Sequence, residues 1–254
     1  MSNGGKLIDE QTAFFNAETK LKNALAFKSA GKYESALMTL DEAISLKPNY
    51  IDPWLMKGVI FSKLGQCGES IKCYDKVIEI NPNFADAYQL KAATLTMQNA
   101  FAKATECYAK AAELEPSNIE LHLSLAASYH REKKFKEALD CYQEALNQTP
   151  ENPQIHYCIG IMLGNMGKYE KALFSFEAAL KLKQDYSDAL LGKGLMLAKL
   201  GRKEEAKQCA NILLERKNES PNSQESEPRS LNNACRQDYD AAKDRFKRTY
   251  APQE

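Results

Sequence analysis

Four cysteines, Cys73, Cys107, Cys141 and Cys209, stand at multiples of one 34-residue interval, with Thr39 and Ser175 in the two remaining places of the series. Thiols in a pattern suggest metal binding or redox exchange, and both need side chains that converge within a few ångströms. Equivalent places in neighbouring copies of a repeated unit lie a full helix-pair step apart, since helix axes alone pack about 8–10 Å from one another. The pattern therefore signals repetition and not chelation. Cys67, Cys158 and Cys235 have no CxxC partner, and an odd total of 7 in a chain without an export signal points to reduced thiols, mostly buried.

The other reactive types offer little more. Of 3 histidines, His122 and His156 fall at one repeated place that also holds Trp54 and Tyr88, which favours a packed ring over a general base. His130 is expected to face a groove, with no Ser or Cys placed beside it as a nucleophile. The sequence has no phosphate-cradling glycine loop and no HExxH pattern. Glu204 and Glu205 read as ordinary exposed-helix composition. No cofactor and no catalytic activity are expected.

The elements that carry these residues repeat in register. Small residues recur at Ala24, Gly58, Ala92, Ala126, Gly160 and Gly194, and again at Ala36, Ser70, Ala104, Ala138, Ala172 and Ala206. A 34-residue period of this kind marks a solenoid of helix-turn-helix units. In the first unit, Leu21, Ala24, Leu25 and Phe27 follow a helical period. Gly31 ends that helix. Ala36, Leu37, Leu40, Ala43 and Ile44 face inward from a second helix, and Lys47-Pro48-Asn49 stops it. Gly65, Asn99, Gly167 and Gly201 repeat the turn, while Lys133 departs from it; Pro48, Pro82, Pro116 and Pro150 close the first four units, and Gln184 replaces Pro in the fifth.

Six units are expected at 17–50, 51–84, 85–118, 119–152, 153–186 and 187–216, preceded by a segment 1–16 in which Phe14 and Phe15 shield the first unit. Lys203 and Ala210 stand where earlier units have large residues, which marks the end of the stack. Residues 217–230 read as a flexible linker rich in Ser, Asn, Glu and Pro. Beyond it Leu231, Cys235, Tyr239, Ala242, Phe246 and Tyr250 recur at helical intervals, predicting an amphipathic helix within 231–254 that caps the array, fills its groove or docks on a partner.

Composition narrows the partners. Lys and Arg number 34 against 34 Asp and Glu, which argues against nucleic acid, whose phosphates are bound by clustered cations. Apolar runs are too short for a membrane span, and MSNGGKLIDE lacks the apolar stretch of a secretory signal, so a cytoplasmic or nuclear protein is expected.

The repeat pattern, with Trp54, Tyr88, His122 and His156 at its fourth place, resembles the tetratricopeptide repeat (TPR) family over about four-fifths of the chain. The resemblance implies an all-α, right-handed α-solenoid whose first helices line a concave groove that binds proteins or peptides. The fifth and ninth places of each first helix would form the groove floor: Leu21 and Leu25, Leu55 and Val59, Gln89 and Ala93, Leu123 and Ala127, Tyr157 and Ile161, Leu191 and Leu195. The second place supplies an acidic edge that includes Glu18, Asp52, Asp86, Glu120 and Asp188, and Lys28, Lys63, His130, Arg131 and Lys199 gather near the other end. An apolar floor with a charged rim suits a helical or extended partner segment. Chaperone-binding members hold a C-terminal carboxylate with Lys, Asn and basic residues at places that here carry Leu21, Leu25, Met56, Asp86 and Leu90, so no such clamp is expected. The asparagine ladder of other members is likewise replaced, by Lys22, Met56, Leu90, Ser124, Cys158 and Gly192. These expectations define a non-catalytic adaptor, with a self-assembling structural subunit or a recruiting subunit of a larger complex as the alternatives.

Overall fold

The computed structural model describes residues 3–219, with side chains described for 12–216. Twelve helices and no strand occur among the described residues. They alternate as antiparallel pairs: α1 (Asn3–Ser29) with α2 (Tyr33–Leu46), α3 (Ile51–Lys63) with α4 (Cys67–Ile80), α5 (Ala85–Met97) with α6 (Phe101–Leu114), α7 (Ile119–Arg131) with α8 (Phe135–Gln148), α9 (Pro153–Asn165) with α10 (Tyr169–Leu182), and α11 (Ser187–Lys199) with α12 (Lys203–Glu219). The chain divides into two compact units, Met1–Pro116 and Ser117–Glu254. Within each, a helix packs on its pair partner and on the next helix along.

Punctuation by residue type accounts for the pairing. Gly31, Gly65, Gly167 and Gly201 adopt φ between 73° and 77° at the turn inside a pair, and Asn99 and Lys133 take φ of 59° and 60° there. This left-handed residue lets two backbone amides return to the last helical turn, as in Gly31 N–H to Lys28 O (3.1 Å) and Lys32 N–H to Phe27 O (2.9 Å). Lys133 thus does the glycine's work with a side chain attached. Between pairs, the Asn118 and Asn152 side chains accept the amides of Glu120 (3.1 Å) and Gln154 (2.9 Å), capping α7 and α9.

Small residues make room for large ones. A Cβ added to Gly58 would come within 2.5 Å of the Tyr74 ring, and one added to Gly160 within 2.7 Å of Phe176. Ser70, at a place that is alanine in the other units, donates its hydroxyl to the Gly58 carbonyl at 2.8 Å and so satisfies a buried oxygen. Pairs are also tied by charge: Lys57 reaches Asp41, Lys91 reaches Asp75 (2.6 Å) and Lys193 reaches Glu177 (2.9 Å), always from the seventh place of one unit to the second helix of the unit before.

The ends differ from expectation in three ways. α1 begins at Asn3, so the segment set apart as 1–16 is continuous with the first helix. Phe14 packs on Tyr50 (centroids 5.5 Å apart) beneath the Lys47 ammonium, but Phe15 is 67% exposed and shields nothing. α12 extends to Glu219, into the stretch read as linker, because nothing before Ser220 breaks its helical propensity. The remainder of that linker and the predicted C-terminal helix lie outside the described residues.

Candidate functional site

The thiols behave as core residues. Cys73, Cys158 and Cys209 are buried, and Cys67, Cys107 and Cys141 are partly so, and none of them forms a disulfide among the described residues. Burial pushes Cys73 up to about 11. The same holds for Cys141, also pushed to about 11 by burial and then by the nearby carboxylate of Asp140. Cys107 and Cys209 are raised as well, chiefly by burial. Such groups stay protonated near neutrality and are poor nucleophiles. Among the described residues no three His, Cys, Asp or Glu side chains gather as metal ligands would, and no helix is long and apolar enough to cross a membrane.

The fourth place of the repeat has a defined task. Trp54 donates from Nε1 to the Pro48 carbonyl at 3.0 Å, and Tyr88 donates its hydroxyl to the Pro82 carbonyl at 3.1 Å. His156 Nε2 lies 3.0 Å from the Pro150 carbonyl, an acceptor, so that nitrogen carries a proton. Trp, Tyr and His share the place because each combines a ring with a donor at its tip. His130, expected to face the groove, is instead buried. It is 3% exposed and tilted against Phe135 at 5.9 Å, since the turn at Lys133 folds Phe135 back over it.

The floor residues fall into two sets. In the first unit, Leu21, Leu55, Val59 and Gln89 are half-buried, Ala93 is exposed and Leu25 is 43% exposed. Met56 and Leu90 beside them are half-buried too, so α1, α3 and α5 together offer open apolar surface. Asp52 and Asp86 are exposed, and the Tyr50 phenol is raised by burial and then by the charges of Asp52 and Glu18. In the second unit, Leu123, Tyr157 and Leu191 are buried at 7%, 3% and 2%, while Ala127, Ile161 and Leu195 are half-buried. Tyr157 is held between Phe176 (5.9 Å) and Tyr186 (5.2 Å), which turns a floor residue into core. Glu120 is exposed and Arg131 half-buried at opposite ends of α7.

A depression not anticipated from the sequence lies elsewhere in the second unit. Leu146 of α8, Ile159 and Leu163 of α9 and Phe174 of α10 line an open apolar groove. Its signal was available in one residue. Phe174, 74% exposed, stands at a place occupied by Met38, also exposed at 69%, and by Lys72, Glu106, Asp140 and Gln208 in other units.

Comparison with known proteins agrees with the helix pairs. Residues 18–163 match the family of the Psidin N-terminal TPR repeats region, and residues 122–245 match the middle TPR-like domain of cilia and flagella-associated protein 70. Among solved structures, the chain is similar to YrrB, described as a TPR protein with an unusual peptide-binding site (20% identity, 72% of this chain and 93% of that one, TM-score 0.62). It is similar also to MamA from Desulfovibrio magneticus RS-1 (20% identity, 67% and 97%, TM-score 0.60) and to PilF of Pseudomonas aeruginosa (17% identity, 84% and 95%, TM-score 0.61). At such identities these likenesses speak for the fold alone. No curated protein matches the sequence. With helix pairs, left-handed turns and interlocking small and large residues all in place, and with a TPR family matched over 18–163, the chain belongs to the tetratricopeptide repeat family.

Proposed function

We propose that this chain is a non-catalytic protein–protein adaptor, and that the face formed by α1, α3 and α5 receives a helical or extended segment of a partner protein. Extended surfaces built from stacked helix pairs are what repeat proteins use for recognition. The observation that carries the reading is Leu25, 43% exposed on an apolar strip with Leu21, Leu55 and Val59. Burial of such a strip supplies affinity, and Asp52 and Asp86 at its edge select a segment with basic flanks. The floor positions of the second unit contribute less, since Leu123, Tyr157 and Leu191 are already covered by their own chain. Raised thiol pKa values at Cys73 and Cys141, and a ring-to-carbonyl hydrogen bond at His156, leave these three residues unsuited to nucleophilic or base chemistry.

Affinity purification with the intact chain and with a Leu25→Glu, Val59→Glu variant tests the reading, with thermal melts run alongside to show that both are folded. Partners bound by the intact chain are expected to be lost from the variant. Partners retained equally by both would remove the α1–α3–α5 face as the binding surface.

A further inference from the structure

Lys133 is the strained turn residue of the second unit. It holds φ of 60° at a place where Gly167 and Gly201 of the following pairs reach 74° and 77° without a side chain. Strain kept at an exposed position points to function, because glycine would serve folding better there. What the lysine adds is one more ammonium at the tip of the turn, within the run Arg131-Glu132-Lys133-Lys134-Phe135-Lys136.

That cation has company. Helices alternate in direction through the second unit, so the turns α7–α8, α9–α10 and α11–α12 all lie at one end of it. Exposed there are Lys133 and Lys136, then Lys168 and Lys171, then Lys199 and Lys203. None of these lysines enters an ion pair among the described residues, whereas Lys134 and Arg202 at the same turns are neutralised by Glu132 (2.9 Å) and Glu205 (2.6 Å). The acids left beside them are Glu137 at the first turn and Glu170 at the second, while Glu204 at the third already holds Lys207. Each turn thus keeps a surplus of positive charge that its own chain does not answer, and such hydrated, mobile ammonium groups attract anionic ligands.

We propose that this end of the second unit is a further docking edge, distinct from the α1–α3–α5 face, for an extended acidic segment of a partner protein. Spacing selects the form of that segment. First helices of neighbouring pairs lie about 8–10 Å apart where they touch, as α9 and α11 do, so the lysine pairs recur at about that interval. An extended chain advances about 3.3 Å per residue, which sets every third side chain opposite a turn. Carboxylates repeated at every third residue therefore meet the three turns in succession. A duplex strand instead carries a phosphate every ~3.4 Å, and most of these would find no cation along the row. The chain as a whole, with 34 basic and 34 acidic residues, supplies no wider positive field to hold them.

Fluorescence anisotropy on the full chain tests the proposal with a labelled Glu-Ser-Ser repeat peptide, the same peptide with Gln for Glu, and an oligouridylate of equal length. The Glu peptide is expected to bind at low salt and to weaken as salt rises, and the Gln peptide not to bind. Lys133→Gly removes one cation and relieves the backbone, so it is expected to bind about 1.5–5-fold more weakly while melting no lower than the parent. Lys133→Glu combined with Lys168→Glu is expected to weaken binding about tenfold or more, and Lys183→Glu, at the opposite end of the unit, to leave it unchanged. A damaged fold cannot mimic that split, since it would lower the melting point along with the affinity. Absence of binding by the Glu peptide at low salt overturns the proposal, as does equal binding by the parent and Lys133→Gly. So does an equal loss with Lys183→Glu, which identifies diffuse charge, and so does tighter binding of the oligouridylate, which identifies a nucleic-acid surface.

Discussion

The Phe176 ring occupies the space that a side chain at Gly192 would need: an added Cβ would lie 2.6 Å from it. The same ring presses on Gly160 of its own pair, so one phenyl is clamped between α9 and α11 by two residues that have no side chain to offer. Phe176 is 2% exposed, and its ring has no free direction in which to retreat.

Gly192→Ala is therefore expected to destabilise the second unit. Overpacking costs about 1–3 kcal/mol, against which alanine regains roughly 1 kcal/mol of helix propensity, leaving a net loss on the order of 1 kcal/mol. Gly68→Ala serves as the reference, since nothing lies within 4 Å of a Cβ there, and it is expected to stabilise by about 0.5–1 kcal/mol. Urea midpoints that shift alike for the two variants would show that the Phe176 clamp yields freely.

Lys133 adopts φ of 60° at a turn where glycine is the usual occupant. A left-handed residue with a side chain is strained by about 1–2 kcal/mol, and part of that gain is offset by the larger unfolded-state entropy of glycine. Lys133→Gly is expected to raise stability by about 0.5–1 kcal/mol, and Lys133→Val to lower it. A thermal midpoint for Lys133→Gly below that of the parent would contradict the strain.

Burial pushes the Cys73 and Cys141 thiols up from their ordinary value of 9.0 to about 11, and unfolding returns them to that ordinary value. Above pH 9 the unfolded chain loses these protons first, so the unfolded state binds fewer protons and stability falls as pH rises from 9 to 11. Below pH 9 the two thiols contribute no slope. Denaturant titrations across that window should show a shallower decline for a Cys73→Ala, Cys141→Ala variant than for the parent. Alkylation near pH 8 should spare both thiols until the chain is unfolded.

His156 holds the Pro150 carbonyl as Trp54 and Tyr88 hold theirs. His156→Leu is expected to lose about 0.5–1.5 kcal/mol. His156→Tyr should restore most of it, because Tyr88 already makes the equivalent bond at 3.1 Å. Equal loss in both variants would mean that the ring and not the hydrogen bond matters at this place.

The amino-acid sequence by itself determined the helix pairs, their turns and their family. Period, small-residue register and turn chemistry are local properties, and every repeat states them anew, so Gly31, Gly65 and Asn99 could be read without coordinates. The left-handed turn at Lys133 was legible only as an exception, because register and not residue type forces it. Tertiary structure alone decided which faces are open. Leu21 and Tyr157 occupy the same fifth place of the repeat, yet Leu21 is half-buried and Tyr157, 3% exposed, is wedged between Phe176 and Tyr186. His130 is buried for a similar reason, since Phe135 reaches it from the other side of a turn. The groove beneath Phe174 depends on Ile159 lying across from Gln143, where Lys91 and Lys193 instead meet Asp75 and Glu177. Exposure is a property of what lies across a gap, and residues far apart in the chain meet there only after the pairs have stacked.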